Sequence, residues 1–107
     1  MVVIWSDKAK LRVRQIFEFY EQRSHKAASK LVTDIETAGN SLSKFPQMAA
    51  IESILSDLPQ TYRALVIRDN YKIIYYIDDS KNNIKIATVW DCRQDDKKLR
   101  KEVPFIP

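Results

Sequence analysis

The last third of the chain contains three segments rich in Tyr, Val and Ile, separated by two short polar breaks. Residues 61–68 and 71–78 flank Asp69-Asn70, a pair suited to the positive φ angles of a tight hairpin turn. Residues 84–90 follow the second break and alternate between two faces. The side chains expected on one face of this third segment are Ile84, Ile86, Thr88 and Trp90. The pattern predicts three consecutive strands that begin with a hairpin.

The first part of the chain is different, because its apolar residues recur at helical intervals. After a short β-branched and aromatic run at 2–5, which suits a strand, a helix is predicted from Lys8 to about Gln22. Ser24 is a suitable N-cap for a second amphipathic helix, which Pro46 is expected to stop. The apolar positions of the first helix are Ala9, Val13, Ile16, Phe17 and Tyr20. Two such helices joined by a short polar link predict an α-hairpin.

Together these patterns predict one α+β domain over residues 1–107, because a chain of this length has room for one core. The expected order is an N-terminal strand, an α-helical hairpin and a three-stranded antiparallel β-meander, written β-α-α-β-β-β. The segment 47–60 is consistent with either one short helical turn or irregular packed chain before Pro59. The order of the strands in the sheet stays open.

The chain is mildly basic. With 18 Lys and Arg against 14 Asp and Glu, the formal net charge is +4, which favours an acidic or polyanionic partner. Acidic residues are scattered through every segment, so the charge does not distinguish RNA, DNA and an acidic protein. The lone Cys92 excludes an internal disulfide and is typical of a reducing compartment. Residues 1–5 are too few for a membrane span or a secretory segment, so we expect a cytoplasmic protein with no membrane partner.

Three phrases on the predicted strands occur in a fixed order behind the β-α-α opening. They are YRALVI at 62–67, NYKIIYYI at 70–77 and IATVWDCRQD at 86–95. The first phrase begins with an aromatic residue and Arg, and the second fits the pattern Y-[KR]-I-x-Y. The third is a strand that ends in Val and is followed by a few variable residues and Arg. This series resembles the RelE/ParE superfamily of toxins. The likeness covers roughly residues 2–99 and implies the RelE/ParE-like fold.

This resemblance implies the toxin of a bacterial type II toxin–antitoxin system. Relatives are held inactive by a cognate antitoxin that wraps around them, and they arrest growth when the antitoxin is degraded. Contact with operator DNA is then expected only through the antitoxin. RelE-like members enter the ribosomal A site and cut mRNA, whereas ParE-like members poison DNA gyrase and are not known to hydrolyse anything.

Arg63, Lys72 and Arg93 match the cations of the RelE-like catalytic pattern. Arg63 stands where a strand lysine is expected, Leu65 replaces the next basic position, and Lys72 stands at the strand Arg. Cleavage of RNA also needs a group that transfers protons, typically worth about 10² to 10⁴ in rate. The RelE-like pattern has a Tyr or His near the C-terminus. Here neither follows Arg93, and Phe105, which has no ionisable group, takes that place.

The aromatic residues of the hairpin suggest a binding surface. By the two-residue period of a strand, Tyr71 and Tyr75 share one face and Tyr76 lies on the other. The helices cover at most one face, so the other is predicted to be open and to bind the target. The residues predicted for target binding are Arg63, Tyr76, Trp90 and Arg93.

Each of these candidate residues also has an ordinary structural interpretation. A strand Arg or Lys that faces solvent simply wets the outer face of a sheet. Asp91, Asp95 and Asp96 have no His or further carboxylate at ligand spacing, and His25 lies alone between the helices. We therefore expect no metal and no cofactor.

The incomplete catalytic set and the helical hairpin favour a ParE-like toxin that binds a target such as DNA gyrase. The alternative is a RelE-like, ribosome-dependent mRNA endonuclease that uses Arg63, Lys72 and Arg93. A second alternative is a non-toxic member that binds only its antitoxin and DNA.

Overall fold

The structure, a computed structural model, describes residues 1–104 and 106. Its strands are β1 (Val2–Trp5), β2 (Ala50–Ile51), β3 (Arg63–Ile67), β4 (Tyr71–Asp78) and β5 (Asn83–Asp91). Its α-helices are α1 (Asp7–Glu21), α2 (His25–Ser41) and α3 (Asp96–Glu102), and short 3-10 helices occupy Ser53–Leu55 and Asp79–Lys81. The predicted α+β order is confirmed. The short β2 and the helix α3 are additions that sequence analysis did not predict.

The strands form a five-stranded sheet in the order β1-β5-β4-β3-β2. The antiparallel pairs β3–β4 and β4–β5 form the predicted meander. β1 lies parallel to β5, which places the start of the chain at one edge of the sheet. At the other edge, β2 pairs with β3 only at Ala64 and Arg63.

The two helices of the hairpin pack on one face of the sheet, each begun by a serine. Ser6 Oγ accepts a hydrogen bond from the backbone N–H of Ala9, and Ser24 Oγ accepts one from Ala27. The helix-side core contains buried residues from both helices and from strands β3, β4 and β5, among them Ala9, Leu31, Ile35, Ile67, Tyr71, Ile73, Tyr75, Ile84, Ile86 and Val89. Of the apolar positions predicted for α1, Ala9, Val13, Ile16 and Tyr20 belong to this core, whereas the ring of Phe17 lies against His25.

The second helix ends earlier than predicted. α2 stops at Ser41, and the backbone continues through hydrogen bonds of the tighter i to i+3 kind, such as Leu42 N–H to the Gly39 carbonyl. Pro46 lies beyond this turn, so the prediction that Pro46 stops the helix was wrong.

The hairpin turn between β3 and β4 has three residues instead of two. Ile67 pairs with Tyr71, and the positive φ angles fall on Arg68 and Asp69, at 51° and 62°. The predicted position of Asp69 is confirmed, but Asn70 has no positive φ. Its carbonyl instead accepts the backbone N–H of Cys92, which joins the turn to the end of β5.

A β-bulge in β5 changes which side chains share a face. Ile74 pairs with Thr88 and the next residue, Tyr75, pairs with Ile86, so Ala87 is an extra residue. Before the bulge Ile84 and Ile86 face the helices, and after it Val89 does. The prediction that Ile84, Ile86, Thr88 and Trp90 share one face was therefore wrong, because strict alternation does not survive an inserted residue.

The face of the sheet away from the hairpin is also covered. The 3-10 helix Ser53–Leu55, the chain after it and α3 pack against this face. The buried residues of this second core are Leu55, Leu58, Tyr62, Ile74, Trp90, Leu99 and Val103. The expected open aromatic face is thus largely closed, because residues 52–58 and α3 supply the leucines and valine that cover it.

Candidate functional site

Arg93 lies just beyond the end of β5 and is held there by Asp91. Its Nε and Nη2 donate to the two carboxylate oxygens of Asp91 at 3.0 Å each, and its backbone N–H donates to Oδ1 at 2.9 Å. A bidentate pair of this kind fixes the plane of the guanidinium. The side chain of Arg93 is still 53% exposed, so this orientation is presented to solvent.

Two tyrosines extend this arrangement into the core. Nη2 of Arg93 also donates to the Tyr71 hydroxyl at 3.1 Å, and the guanidinium carbon lies 5.7 Å from the centre of the Tyr71 ring. The Tyr71 hydroxyl donates to the Tyr20 hydroxyl of α1 at 3.2 Å. We call Tyr20, Tyr71, Asp91 and Arg93 the arginine–tyrosine cluster. It joins the helical hairpin to the end of the meander.

The surroundings of these groups shift their pKa values in opposite directions. Burial raises the pKa of Tyr71, and its hydrogen bond to Tyr20 adds to this. That same hydrogen bond lowers the pKa of Tyr20. Burial alone would raise the pKa of Asp91, but the hydrogen bonds from Arg93 outweigh it and lower the pKa overall. The hydrogen bond to Asp91 also raises the pKa of Arg93, so the ion pair is fully charged near neutral pH.

Three members of the cluster, Tyr71, Asp91 and Arg93, form one wall of a cleft of about 260 Å³. The opposite wall comes from α1 and includes Arg12, Gln15 and Phe19, while the apolar part of the lining includes Ile16 and Val89. The cleft therefore combines two guanidinium groups with an apolar floor and one exposed aromatic ring.

Arg12, which supplies the second guanidinium of the cleft, is held in place by Glu102 of α3. Its Nε and Nη2 donate to the two carboxylate oxygens of Glu102 at 2.7 and 2.8 Å. Glu102 also accepts a hydrogen bond from the hydroxyl of Thr88 at 2.9 Å, and the ammonium of Lys8 lies 3.5 Å away. These donors lower the pKa of Glu102, the hydrogen bond from Arg12 having the largest effect.

Arg63 lies elsewhere. It stands on β3 opposite Tyr75, and its Nη1 donates to the carbonyl of Ala49 at 2.7 Å. Tyr76 and Arg63 both line a shallow depression of about 630 Å³ near the loop before β3. Two of the predicted target-binding residues therefore share a surface, but this surface is separate from the arginine–tyrosine cluster.

Lys72 points to the opposite face of the sheet from Arg63 and Arg93. Its ammonium lies 2.7 Å from a carboxylate oxygen of Glu52, a residue that is 8% exposed. This hydrogen bond raises the pKa of Lys72 despite partial burial. Lys72 thus ties β4 to the segment that covers the second face.

Trp90 is in the second core, 4% exposed, beside Leu99. Within the described residues its indole N–H has no hydrogen-bond partner. Trp90 nevertheless contributes to the lining of the cleft, together with its neighbours Val89 and Asp91. Of the four residues predicted for target binding, only Arg93 is classed as exposed, while Arg63 and Tyr76 are partly buried.

The three candidate catalytic cations therefore do not converge. Lys72 is on one face, and along β4 the partners of Arg93 and Arg63, Tyr71 and Tyr75, are four residues apart, which is about 13 Å. Phe105, the aromatic of the tail, lies outside the described residues. Among residues 1–104 and 106, no group of three His, Cys, Asp or Glu side chains is arranged to hold a metal ion.

Sequence reasoning missed the contribution of α1 to this site. Tyr20 was assigned only to the apolar face of its helix, and Asp91 was considered only as a metal ligand. The signal available was the spacing of Asp91 and Arg93, two opposite charges two residues apart at a strand end. The contact with Tyr20 has no local signal, because it depends on how α1 crosses the sheet.

The fold is an α+β sandwich of a helical hairpin on a mixed sheet, with a cation-lined cleft at the end of the meander. The sequence profile of the ParE toxin of type II toxin–antitoxin systems, parDE, matches residues 3–96. Since this match covers most of the chain, the chain belongs to the ParE toxin family within the RelE/ParE superfamily. It is the toxin component of such a system, a relationship that implies an antitoxin partner.

Solved structures agree with this fold. Thirteen chains of known structure match. One, described as the chromosomal ParDE TA system from P. aeruginosa, has a TM-score of 0.69 and 20% sequence identity, over 85% of this chain and 95% of that chain. No curated protein sequence matches. In the part of the chain that the structure describes, no helix is long and apolar enough to cross a membrane.

Proposed function

We propose that this protein is a ParE-like toxin that arrests growth by binding a cellular protein target such as DNA gyrase, and that a cognate antitoxin neutralises it. It acts in the cytoplasm as a single domain of residues 1–107 and needs no cofactor. Family membership supports the toxin assignment. Operator DNA is reached only through the antitoxin.

The separation of the cations is the observation that favours a target-binding protein over a nuclease. Phosphodiester cleavage requires several charged groups around one phosphate, together with a proton-transfer group. Here Arg63 donates to a backbone carbonyl and lines a separate depression, and Lys72 pairs with Glu52 on the other face. Of the three, only Arg93 lines the cleft beside the arginine–tyrosine cluster. Such a distribution suits a surface that binds a protein, with Arg93 as its central residue.

The antitoxin is proposed to bind at the β3 edge. β2 pairs only with the first two residues of β3, so among the described residues the outer edge of Leu65–Ile67 has no strand partner. Ile51 of β2 and Val66 of β3 are exposed apolar side chains at this edge, and Phe45, Met48 and Ile54 are exposed in the chain that leads into and out of β2. An extended antitoxin segment that adds a strand here would cover both features. Its acidity would complement the +4 charge of the toxin.

Expression from a tightly controlled promoter tests the proposal. Cells that produce the wild-type chain are expected to stop growing and to accumulate gyrase-cleaved DNA, while mRNA at ribosomes stays intact. Arg93→Ala is expected to abolish toxicity and leave the fold intact, because the side chain is half exposed. Normal growth with the wild-type chain, without either lesion, would instead indicate the non-toxic, antitoxin-binding alternative.

One observation favours the mRNA endonuclease as the second candidate. The hydroxyls of Tyr71 and Tyr20 lie beside Arg93 and replace, in part, the proton-transfer group that the tail lacks. Cut mRNA at ribosomes, with loss of cutting in Tyr71→Phe, would support the endonuclease and contradict the gyrase proposal.

A further inference from the structure

The guanidinium of Arg93 has one free edge. Its Nε and Nη2 are occupied by Asp91 and Tyr71, but Nη1 has no hydrogen-bond partner within the described residues. Because Asp91 and the Tyr71 ring fix the orientation of the group, this edge is presented in one direction. An oxyanion that arrives there is bound without the entropy cost of ordering a free arginine.

The rest of the cleft does not suit a polyanion. Its second cation, Arg12, is already paired with Glu102 through two hydrogen bonds, and Asp91 itself lines the cleft. Two further acids, Asp95 and Asp96, follow directly in the sequence. A nucleic acid requires a row of cations that tracks successive phosphates. This mixed charge supports a single carboxylate instead.

The cleft also offers apolar surface beside the free edge of Arg93. Ile16 and Val89 line it, and the ring of Phe19 at its wall is 59% exposed. An exposed aromatic and an oriented arginine that line the same cleft are typical of the residues that dominate protein interfaces. The volume of about 260 Å³ is suited to one or two peptide side chains.

We infer that this cleft is the site at which the toxin binds an acidic peptide segment of its protein target, with a carboxylate on Arg93 and an apolar neighbour on Phe19. The inference rests on the proposed target-binding function and specifies the chemical groups of the target that the cleft recognises. The antitoxin is assigned to the β3 edge, since none of the exposed apolar residues there lines the cleft.

A peptide titration tests whether the cleft binds a carboxylate, and it does not require the target protein. Nitrogen-15 spectra of the whole chain are recorded with a blocked Leu-Glu-Leu peptide, its Leu-Gln-Leu counterpart and a ten-nucleotide single-stranded DNA. The Glu peptide is expected to shift the resonances of Gln15, Phe19 and Gln94, and to bind about tenfold more tightly than the Gln peptide. Arg93→Ala should remove this preference. Arg14→Ala, which removes an exposed arginine of α1 outside the cleft, should keep it.

Equal binding of the two peptides, or shifts with the oligonucleotide alone, would overturn the inference. The second arm uses purified DNA gyrase and the antitoxin. Arg93→Ala and Phe19→Ala are each expected to weaken inhibition of supercoiling at least about tenfold and to leave antitoxin affinity unchanged. If antitoxin affinity falls equally, the antitoxin occupies the cleft and the inference is wrong. If wild-type toxin leaves gyrase unaffected while the Glu peptide still binds, the proposed gyrase target fails and the carboxylate site stands.

Discussion

Gly39 is the only glycine of the sequence, and its role is steric. It lies in α2, buried against the ring of Trp5 in β1. A Cβ built at this position would lie 2.4 Å from Cζ2 and 2.6 Å from Cη2 of Trp5. The indole cannot easily move aside, because its N–H donates to Asn40 Oδ1 at 3.1 Å. The close approach of α2 to β1 therefore depends on the missing side chain.

Gly39→Ala is expected to destabilise the protein by roughly 1–2 kcal/mol, because overpacking against Trp5 exceeds the gain of about 1 kcal/mol from better helix propensity. Urea unfolding followed by circular dichroism measures the change. Thr37→Ala, at an exposed position of the same helix, serves as the control and should change stability by less than about 0.5 kcal/mol. A more stable Gly39→Ala variant would show that α2 does not lie as close to β1 as described here.

The Tyr71 hydroxyl is the other residue-scale feature with a direct test. Tyr71→Phe removes the hydrogen bond that lowers the pKa of Tyr20, so the pKa of Tyr20 is expected to rise toward its ordinary value of about 10. Loss of the hydrogen bond should also cost about 1 kcal/mol of stability. Carbon-13 spectra of ring-labelled tyrosine across alkaline pH measure the titration. Tyr76→Phe, on the opposite face of β4, should leave Tyr20 unchanged. An unshifted Tyr20 in the Tyr71 variant would contradict the described contact.

At the scale of elements, the carboxylate of Glu102 joins α3 to the elements beside it, while Arg100 of α3 forms an ion pair with Asp57. Glu102 is 8% exposed and accepts hydrogen bonds from Arg12 of α1 and Thr88 of β5. Leu99 and Val103 add apolar contact with the second core. The helix has only seven residues, which is too short for intrinsic stability, so its position depends on these contacts.

Glu102→Gln is expected to destabilise the fold by about 1–3 kcal/mol, because Arg12 loses its charged partner. The pKa of Glu102 is lowered in the folded state from 4.5, so the stabilisation is present above that value and is lost as the pH falls below it. Unfolding measured between pH 7 and pH 3 should therefore show a weaker acid dependence in the variant than in wild type. Glu18→Gln, at an exposed position of α1, is the matched control. Identical acid profiles for Glu102→Gln and wild type would be inconsistent with the proposed role.

At the scale of the whole molecule, the sheet lies between two hydrophobic cores and contributes buried side chains to each of them. Ile73 and Ile74 are neighbours on β4, yet the first is buried under the hairpin and the second under α3 and residues 52–58. Each core also has its own tryptophan, Trp5 on the helix side and Trp90 on the other. Because the central strands cannot keep one core after losing the other, unfolding should be cooperative.

Trp5→Phe and Trp90→Phe each leave a single tryptophan that reports on one core. Within each variant, the urea midpoint from tryptophan fluorescence is expected to coincide with the midpoint from circular dichroism. Comparison of the two variants with wild type by circular dichroism accounts for the cost of each substitution. A fluorescence transition of Trp90 at clearly lower urea would show that α3 detaches before the sheet unfolds.

The sequence by itself determined the elements whose signal is local: the amphipathic faces of α1 and α2, the hairpin around Asp69 and the three strands that carry the family phrases. Periodicity and turn chemistry act over a few residues, so they can be read directly. The tertiary structure alone decided the face of Trp90, since the extra Ala87 reverses the alternation only once β5 is paired with β4. It also decided that Arg93 is linked to Tyr20 through the Tyr71 hydroxyl. The packing of α1 across the end of the sheet brings these distant residues together, and no local pattern encodes such a contact.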